Sequence, residues 1–364
     1  MNEYISVMHV HTIHSDGHGD VDIIARDARL AGVDIVFVTD HGNDDVRRLG
    51  KEGWYEDVLV LSGYELNDIR NKNHYLVFGV DQCLGGDGGA RKYVREVRER
   101  GGIGFLAHPD ERRDYYPEHP SYEWTDWDIE GFDGIEIWNY MSEWMEALRP
   151  GRRFLNLLFP DRCIRGPTEK VLRFWDERCR KRKIVAIGSA DAHCYQHRLL
   201  GFTVSIFPYE RLFRRIRTHF LLPDQLTGNF EVDRDMVLGT LREGRLFVSN
   251  LREGEASCFS FTARSLKGTT WMGGEVAISD KPVLRIWAPL EGHITLLRDG
   301  ATCVVEKGHK VEYAADEAGS YRVEVTRHGR PWIYSNAIRV VRGDRGRVPE
   351  LREESLRHAP ICNP

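Results

Sequence analysis

The sequence predicts a mixed α/β protein: a barrel of seven strand–helix repeats, then a small β-sandwich. Three observations predict it. The first 205 of the 364 residues alternate short apolar runs with longer polar, helix-compatible stretches. Nearly every run ends in His, Asp, Glu or Asn. After about residue 205 the pattern changes and, from 255 to 343, reads as all-β. Seven repeats alone fit either a parallel barrel or an open doubly wound sheet. The polar run-ends favour the barrel, because its loops converge around a closed rim at the C-terminal ends of the strands.

The expected strands are YISVMHVH (4–11), DIVFVTDH (34–41), VLVLSGYE (58–65), HYLVFGV (74–80), GIGFLAHP (102–109), GIEIWN (134–139) and IVAIGSADAH (184–193). Their Val, Ile and Phe content suits strands buried on both faces. Expected helices between them cover 21–32, 88–102 and 168–183. The run-ends are His11, His41, Glu65, His108, Asn139 and His193, while His74 stands at the start of its run. RLFRRIRTHFLLPDQL (211–226) is expected as a basic helical connector, and 233–250 as a helix, a Gly stop and a strand. FSFTA, PVLRIWAPL, HITLLRDG, KVEYAAD, SYRVEVTRHG and NAIRVV alternate in polarity and are punctuated by turn residues, as a sandwich requires. The expected division is a barrel over 1–205, a connector over 206–250, a β-rich domain over 251–343 and a flexible tail over 344–364.

Hydrophobic residues make up 41% and charged residues 29%, so the chain can bury a globular core. The net charge of −5 disfavours nucleic acid as a partner. The seven cysteines, Cys83, Cys163, Cys179, Cys194, Cys258, Cys303 and Cys362, form no CxxC pair, which disfavours both a disulfide framework and a cysteine–zinc module. The N-terminal MNEYISVMHVHT lacks the pattern of a signal peptide, and no apolar run is long enough to span a bilayer. A cytoplasmic protein without a membrane partner is expected. The oligomeric state is not legible.

The chemistry concentrates in the run-ends. On a strand, residues i and i+2 share a face, about 6.5–7 Å apart along the chain. His9 and His11 are so placed, and Asp191 and His193 repeat the spacing on the last barrel strand. First and last strands of a closed barrel are neighbours, so the two pairs would face each other with four N and O donors, nearly a complete divalent-metal site. Glu65 can bridge two ions, and His74 and His108 would complete a second site. Asp16, His41 and His193 could form a third. One strand-end histidine is ordinary; HxH, DH, E, H and DxH in register at one end of successive strands is a metal centre. His14 and His18, in the same HVHTIHSDGHGD stretch, are expected as bystanders.

HVHTIHSDG, VTDHG, GYE, HYLVFG, AHP and GSADAH together resemble the ordered motifs of the polymerase and histidinol phosphatase (PHP) family of metallohydrolases, over roughly residues 4–205. The resemblance implies a distorted (β/α)7, TIM-like barrel holding two to three divalent ions, zinc, iron or manganese. It implies one site of His9, His11, Glu65 and Asp191, a second of Glu65, His74 and His108, and a third of Asp16, His41 and His193. SDG supplies Asp16 as a carboxylate, which resembles the branch containing small nucleotide phosphatases. The Glu65–His74 spacing and the tail PWIYSNAIRVV are similar to a branch related to carbaryl hydrolases.

Water shared by two cations ionises near neutral pH and can attack phosphorus or a carbonyl carbon. The expected function is therefore a metal-dependent phosphoesterase acting on a small phosphorylated molecule through a metal-bridging hydroxide. Ester, amide or carbamate hydrolysis at the same metals is the alternative, and a binding protein with a regulatory barrel is a third reading. Glu65, Asp191 and His193 are assigned to catalysis. Asp40, which should face away from His41, joins them as an orienting partner for an imidazole. Arg112, Arg113 and Arg198 are the candidate phosphate contacts, since a guanidinium matches phosphate oxygens. Of Glu136 and Asn139, strand alternation lets one face the site, and Asn139 is the choice for substrate.

Overall fold

The computed structural model describes residues 1–343 apart from 87, 114, 116–119, 200 and 201, and apart from the side chains of 197–204. The expected tail, 344–364, lies outside the described residues. In chain order the first strands are β1 (Asn2–Val10), β2 (Ile35–Val38), β3 (Gly53–Tyr55), β4 (Val58–Ser62), β5 (Tyr64–Leu66), β6 (Tyr75–Phe78), β7 (Ile103–Leu106), β8 (Gly134–Asn139) and β9 (Val185–Ser189). The helices among them are α1 (Val21–Leu30), α2 (Asp45–Arg48), α3 (Ala90–Glu99), α4 (Tyr140–Glu146), α5 (Arg153–Leu158) and α6 (Glu169–Cys179). The three expected helices form where helix signals stand. Asp20 caps α1 by accepting from Ile23 N, and Thr168 caps α6 by accepting from Val171 N.

The strands do not make one closed barrel sheet. β1, β2 and β4 are parallel neighbours in one sheet, and β5 to β9 form a second. The two meet at isolated bridges, Val10 with Ala192 and His41 with Glu65. Backbone bonds reinforce the junctions: His11 N donates to Ala192 O (2.9 Å) and Glu65 N to Asp40 O (3.1 Å). The chain passes from one sheet to the other at Gly63, where any side chain would collide with Val77 O.

β6 departs from the barrel pattern. It runs antiparallel to both β5 and β7. Only residues 67–74 connect β5 to β6, too few for the crossover that a parallel pair requires. The reversal explains the position of His74. The start of an antiparallel strand lies at the same end as the finish of its parallel neighbours.

Both faces of these strands are covered, so the runs are apolar throughout. Met8, Phe37, Leu61, Leu76, Phe105 and Ile187 share an inner cluster with Phe220. Val7, Val36, Val60, Leu106 and Ile135 belong to an outer one with Ile24, Val97 and Trp175 of the helices. The inner plug leaves the polar residues a floor at one end of the strands.

Beyond β9 lie β10 (Gln196–Leu199) and β11 (Phe202–Ser205), an antiparallel pair, then α7 (Tyr209–Phe213), β12 (Ile216–Leu222), α8 (Phe230–Glu243) and β13 (Leu246–Asn250). The connector expected to be helical over 211–226 is therefore helical only as far as Phe213, and its longest element is the strand β12. β12 is buried along its whole length and pairs antiparallel with β1. IRTHFLL carries β-branched Ile216 and Thr218 and aromatic Phe220 on alternate positions of one face, residues that suit a buried strand. The helix, stop and strand expected over 233–250 form as α8, Gly244 in the left-handed region (φ 74°) and β13.

The remaining strands are β14 (Ser260–Ser265), β15 (Gly268–Trp271), β16 (Glu275–Ala277), β17 (Val283–Arg298), β18 (Ala301–Ala314), β19 (Gly319–Arg327), β20 (Arg330–Ser335) and β21 (Ile338–Val341). They are not the separate sandwich expected. β20 pairs with β13, so one hydrogen-bonded sheet runs from this half through β13 and β12 into β1. The half has its own apolar core, including Phe261, Leu284, Val323 and Trp332. A buried pair, Arg322 with Asp176 (2.6 Å), ties β19 to α6.

Candidate metal centre

His9, His11, Asp16, His41, Glu65, His74, His108, Asp191 and His193 come together at one end of the strands. Glu65 is the hub. Its Oε1 lies 2.7 Å from His74 Nδ1 and 3.3 Å from His108 Nε2. Its Oε2 lies 3.0 Å from His9 Nε2, 3.4 Å from His11 Nε2 and 3.4 Å from His41 Nδ1. Asp191 Oδ1 lies 3.4 Å from both His9 Nε2 and His11 Nε2. Asp16 lies 3.2 Å from His193 Nε2, 3.5 Å from His11 Nδ1 and 3.6 Å from His41 Nε2.

Local backbone makes this convergence possible. β1 changes register on β2 between Val7 and Val10, and His9 sits at φ 62°. Met8 and His9 can then both turn inward, which a regular strand forbids. His108 (φ 27°) and Asp191 (φ 52°) also occupy the left-handed region. Three non-glycine residues of one cluster in this region store strain where it shapes a site.

Four overlapping groups each place one ligand atom per residue within 4.8 Å of the others: His11, Asp16, His41 and His193; His9, Glu65 and His108; His9, His11 and Asp191; His41, Glu65 and His74. The grouping differs from the expected sets: His11 joins the Asp16 group, His9, His11 and Asp191 group without Glu65, and His74 and His108 group separately around Glu65, with His41 and His9 respectively. The donors fit divalent cations. His11 Nε2 is buried and has no hydrogen-bond partner, though carboxylate oxygens of Glu65 and Asp191 lie 3.4 Å away. A cation among these atoms satisfies all of them at once. Nitrogen and oxygen donors without thiolate suit zinc, iron or manganese.

The electrostatics show how strongly the carboxylates demand positive charge. Burial opposes a charged His9, yet Asp191, Glu65 and Glu136 together outweigh it and hold its pKa well above the usual value. Burial is likewise overcome at His11 by Asp191 and Glu65, and its pKa rises to about 10. Burial wins at His41, whose pKa falls to about 4, so at neutral pH the ring is uncharged and one of its nitrogens keeps a free lone pair. Glu65 and Asp191 are buried, which favours protonation, but the imidazoles hold both well below the carboxylate range.

Sequence reasoning missed Glu136. It and Asn139 both face the centre, because β8 changes register between Glu136 and Trp138 and defeats the expected alternation. Glu136 Oε1 lies 2.9 Å from His9 Nδ1 and accepts from Ser189 Oγ. Its Oε2 accepts from His108 N (2.7 Å) and Asn139 Nδ2 (3.0 Å). Asn139 Nδ2 also reaches Asp191 Oδ2 (3.3 Å), so Asn139 braces two carboxylates. A glutamate inside a fully buried strand was the available signal, since such a residue is almost never buried unpaired.

Among the described residues, Asp40 touches no imidazole directly; the nearest link is through Ser15 Oγ, 3.5 Å from His11 Nδ1. Its carboxylate accepts from Thr12 N (2.8 Å), Thr12 Oγ1 (2.7 Å) and Ser15 Oγ, and so fixes the turn that carries Asp16. Two of the three expected phosphate contacts have other partners. Arg112 is exposed, with Asp110 3.6 Å away. Arg113 is nearly buried against Glu111, its Nε 2.6 Å from Oε1. The side chain of Arg198 lies outside the described residues. His18 is exposed. His14 is half-buried, 4.0 Å from Asp45.

Two tyrosines flank the centre. Tyr122 stacks on His74 (centroids 5.0 Å, 15°) and Tyr195 on His193 (5.0 Å, 9°). The guanidinium of Arg113 lies over Tyr122, 4.9 Å from its centroid.

No protein-family model matches the chain, and no curated protein matches it. Among solved structures, it is similar to a two-domain protein from Bacteroides vulgatus containing a predicted PHP-like metal-dependent phosphoesterase, at 13% identity and TM-score 0.41, covering 92% of this chain and 95% of that one. It is similar to a protein from Bifidobacterium adolescentis proposed to be a metal-dependent phosphoesterase, at 14% identity and TM-score 0.31, covering 52% and 87%. It is also similar to an amidohydrolase from Chromobacterium violaceum with bound sulfate and no metal, at 15% identity and TM-score 0.28, covering 56% and 92%. These likenesses lie below the level at which a shared family follows.

Proposed function

We propose that the protein is a metal-dependent hydrolase, and that it cleaves a phosphoester of a small molecule. One observation carries the hydrolase reading: a single buried carboxylate, Glu65, has nitrogens of five imidazoles within 3.4 Å. One carboxylate cannot satisfy five imidazoles as hydrogen-bond partners, but it can bridge cations that those imidazoles hold. His9, His11, Glu65 and Asp191 would hold one ion, and Glu65, His74 and His108 a second. Asp16, His41 and His193 would hold a third. Bound divalent cations would acidify water, supply the nucleophile and neutralise substrate oxygens.

The chain's own residues prepare the place for that chemistry. Glu136 keeps the Nδ1 side of His9 occupied, so that Nε2 points at the centre. Asn139 holds Glu136 and Asp191 against each other's repulsion. Asp40 fixes the turn bearing Asp16. Tyr122 and Tyr195 buttress His74 and His193.

A second reading is ester or carbamate hydrolysis, favoured by the pairing of Arg113 with Glu111. One of the three basic groups expected to meet phosphate, Arg113, is already paired with a carboxylate. The test is turnover of an aryl phosphate and an aryl ester after loading with manganese, zinc or iron(II). Phosphate turnover abolished by chelation supports the first reading. Ester turnover without phosphate turnover replaces it with the second. Full activity in metal-stripped protein sinks both.

A further inference from the structure

We propose that residues 149–162, at the metal-centre end of the fold, form a docking surface for an anionic lipid bilayer. The segment reads RPGRRFLNLLFPDR and contains α5. Its apolar pattern is inverted. Asn156 is the buried residue of α5, with its O accepting from Trp144 Nε1 (3.2 Å) and its Nδ2 donating to Ala147 O. Phe154, 75% exposed, and Leu155, Leu157, Leu158 and Phe159 all face solvent. Elsewhere among the described residues, exposed large apolar side chains stand singly. A short helix that buries its asparagine and presents its leucines and phenylalanines to water is built for an apolar medium.

Charge names the medium. The segment carries Arg149, Arg152, Arg153 and Arg162 against one acid, Asp161, in a chain of net charge −5. All four arginines are exposed. Asp161 is engaged by Arg215, 2.7 Å away. Among the described residues, no carboxylate lies within 4.0 Å of the guanidinium groups of Arg149, Arg152 or Arg162. Arg149 instead lies over Tyr115 and Arg162 over Phe159. Apolar side chains ringed by arginine match the boundary between acyl chains and acidic headgroups. A second copy of the same surface would set arginines against arginines.

The placement gives the surface a purpose. The segment follows α4, which starts directly after Asn139 at the metal-centre end of β8. Arg153 Nη2 lies 3.5 Å from Tyr115 O, on the connection that follows His108. Ile13 and Ile69, 56% and 96% exposed, lie on the connections after β1 and β5 at the same end. Docking through 149–162 would turn the centre toward the lipid. The expectation of no membrane partner rested on the lack of a spanning segment, and among the described residues no helix is long and apolar enough to cross a bilayer. Lying on a surface requires none.

The test is co-sedimentation of the full chain with vesicles of phosphatidylcholine alone and of equal parts phosphatidylcholine and phosphatidylserine. Binding to the mixed vesicles, weakened by salt and absent from the neutral ones, is expected. Phe154→Ser with Leu158→Ser, and Arg149→Glu with Arg152→Glu, should each weaken it by at least roughly tenfold. Both pairs should keep the wild-type melting temperature and turnover of a water-soluble substrate. Binding is read without turnover, so its failure is separate from any failure of the hydrolase reading. Three results overturn the proposal: no sedimentation with serine lipid, sedimentation indifferent to serine lipid and salt, or a dimer in solution that the serine pair dissolves without any vesicle binding.

Discussion

His9 Nδ1 lies 2.9 Å from Oε1 of Glu136, a carboxylate on a different strand and fully buried. The contact fixes which nitrogen of His9 faces the other candidate ligands. Glu136→Gln keeps the volume but places an amide N–H among four donors, from His9, Ser189, His108 and Asn139. Metal affinity should fall by about 10–100-fold, the usual cost of losing such a support. A competitive chelator titration measures it, with circular dichroism to confirm folding.

Glu65→Ala removes the common neighbour of five imidazoles. Bound metal, counted by elemental analysis after dialysis, should drop by at least one ion per chain. His18→Ala, at an exposed position of the same opening stretch, should leave the count unchanged. Equal loss in both variants would contradict the assignment of ligands.

Metal-stripped protein should show a marked pH dependence of stability. In the folded chain the pKa of His11 is raised to about 10, because Asp191 and Glu65 outweigh burial. Its unfolded value is about 6.5. Protonation therefore stabilises the fold fully below about pH 6.5, and the benefit is lost as pH rises toward 10. Glu65 and Asp191, held low, act in the opposite sense and lose their contribution as pH falls below the ordinary carboxylate range. Thermal melts should peak in mildly acidic buffer without metal and flatten when metal is restored. A flat metal-free profile would contradict the coupling.

Glu146 predicts a gain rather than a loss. Burial, helped by Glu111, Glu143 and Asp110, outweighs a hydrogen bond from Arg112 N and raises its pKa to about 7. A raised carboxylate disfavours folding increasingly as pH rises from the unfolded value of about 4.5, where the unfolded chain ionises first, and the penalty is complete above about pH 7. Glu146→Gln should raise the melting temperature at pH 8.5 and change it little at pH 5. A gain of equal size at both pH values would point to packing instead.

Arg113 and Arg112 are adjacent but should behave differently. Arg113 is 8% exposed against Glu111, which is 0% exposed. Arg113→Ala leaves a buried carboxylate without its partner and should cost about 3–5 kcal/mol in denaturant unfolding. Arg112→Ala, at a side chain 67% exposed, should stay within about 0.5 kcal/mol.

The sequence by itself determined the alternating strands and helices of the first half, the β-rich second half and the nine residues of the cluster. Their signals are local. Apolar runs need burial wherever they fall, and polar residues that end successive runs must gather if the strands lie side by side. Other features depended on contacts between distant segments. β6 reverses because its link to β5 is short, and this brings His74 to the same end as Glu65. IRTHFLL, basic enough at its start to read as a helix, becomes a strand because the edge of β1 is there to pair with it. Glu136 joins Asn139 on the inner face because β8 slips register against β9. Arg113 is already paired with Glu111 beside the centre. Strand direction, register and ion-pair choice are settled by neighbours far apart in the chain, and a single sequence carries no record of which neighbours will meet.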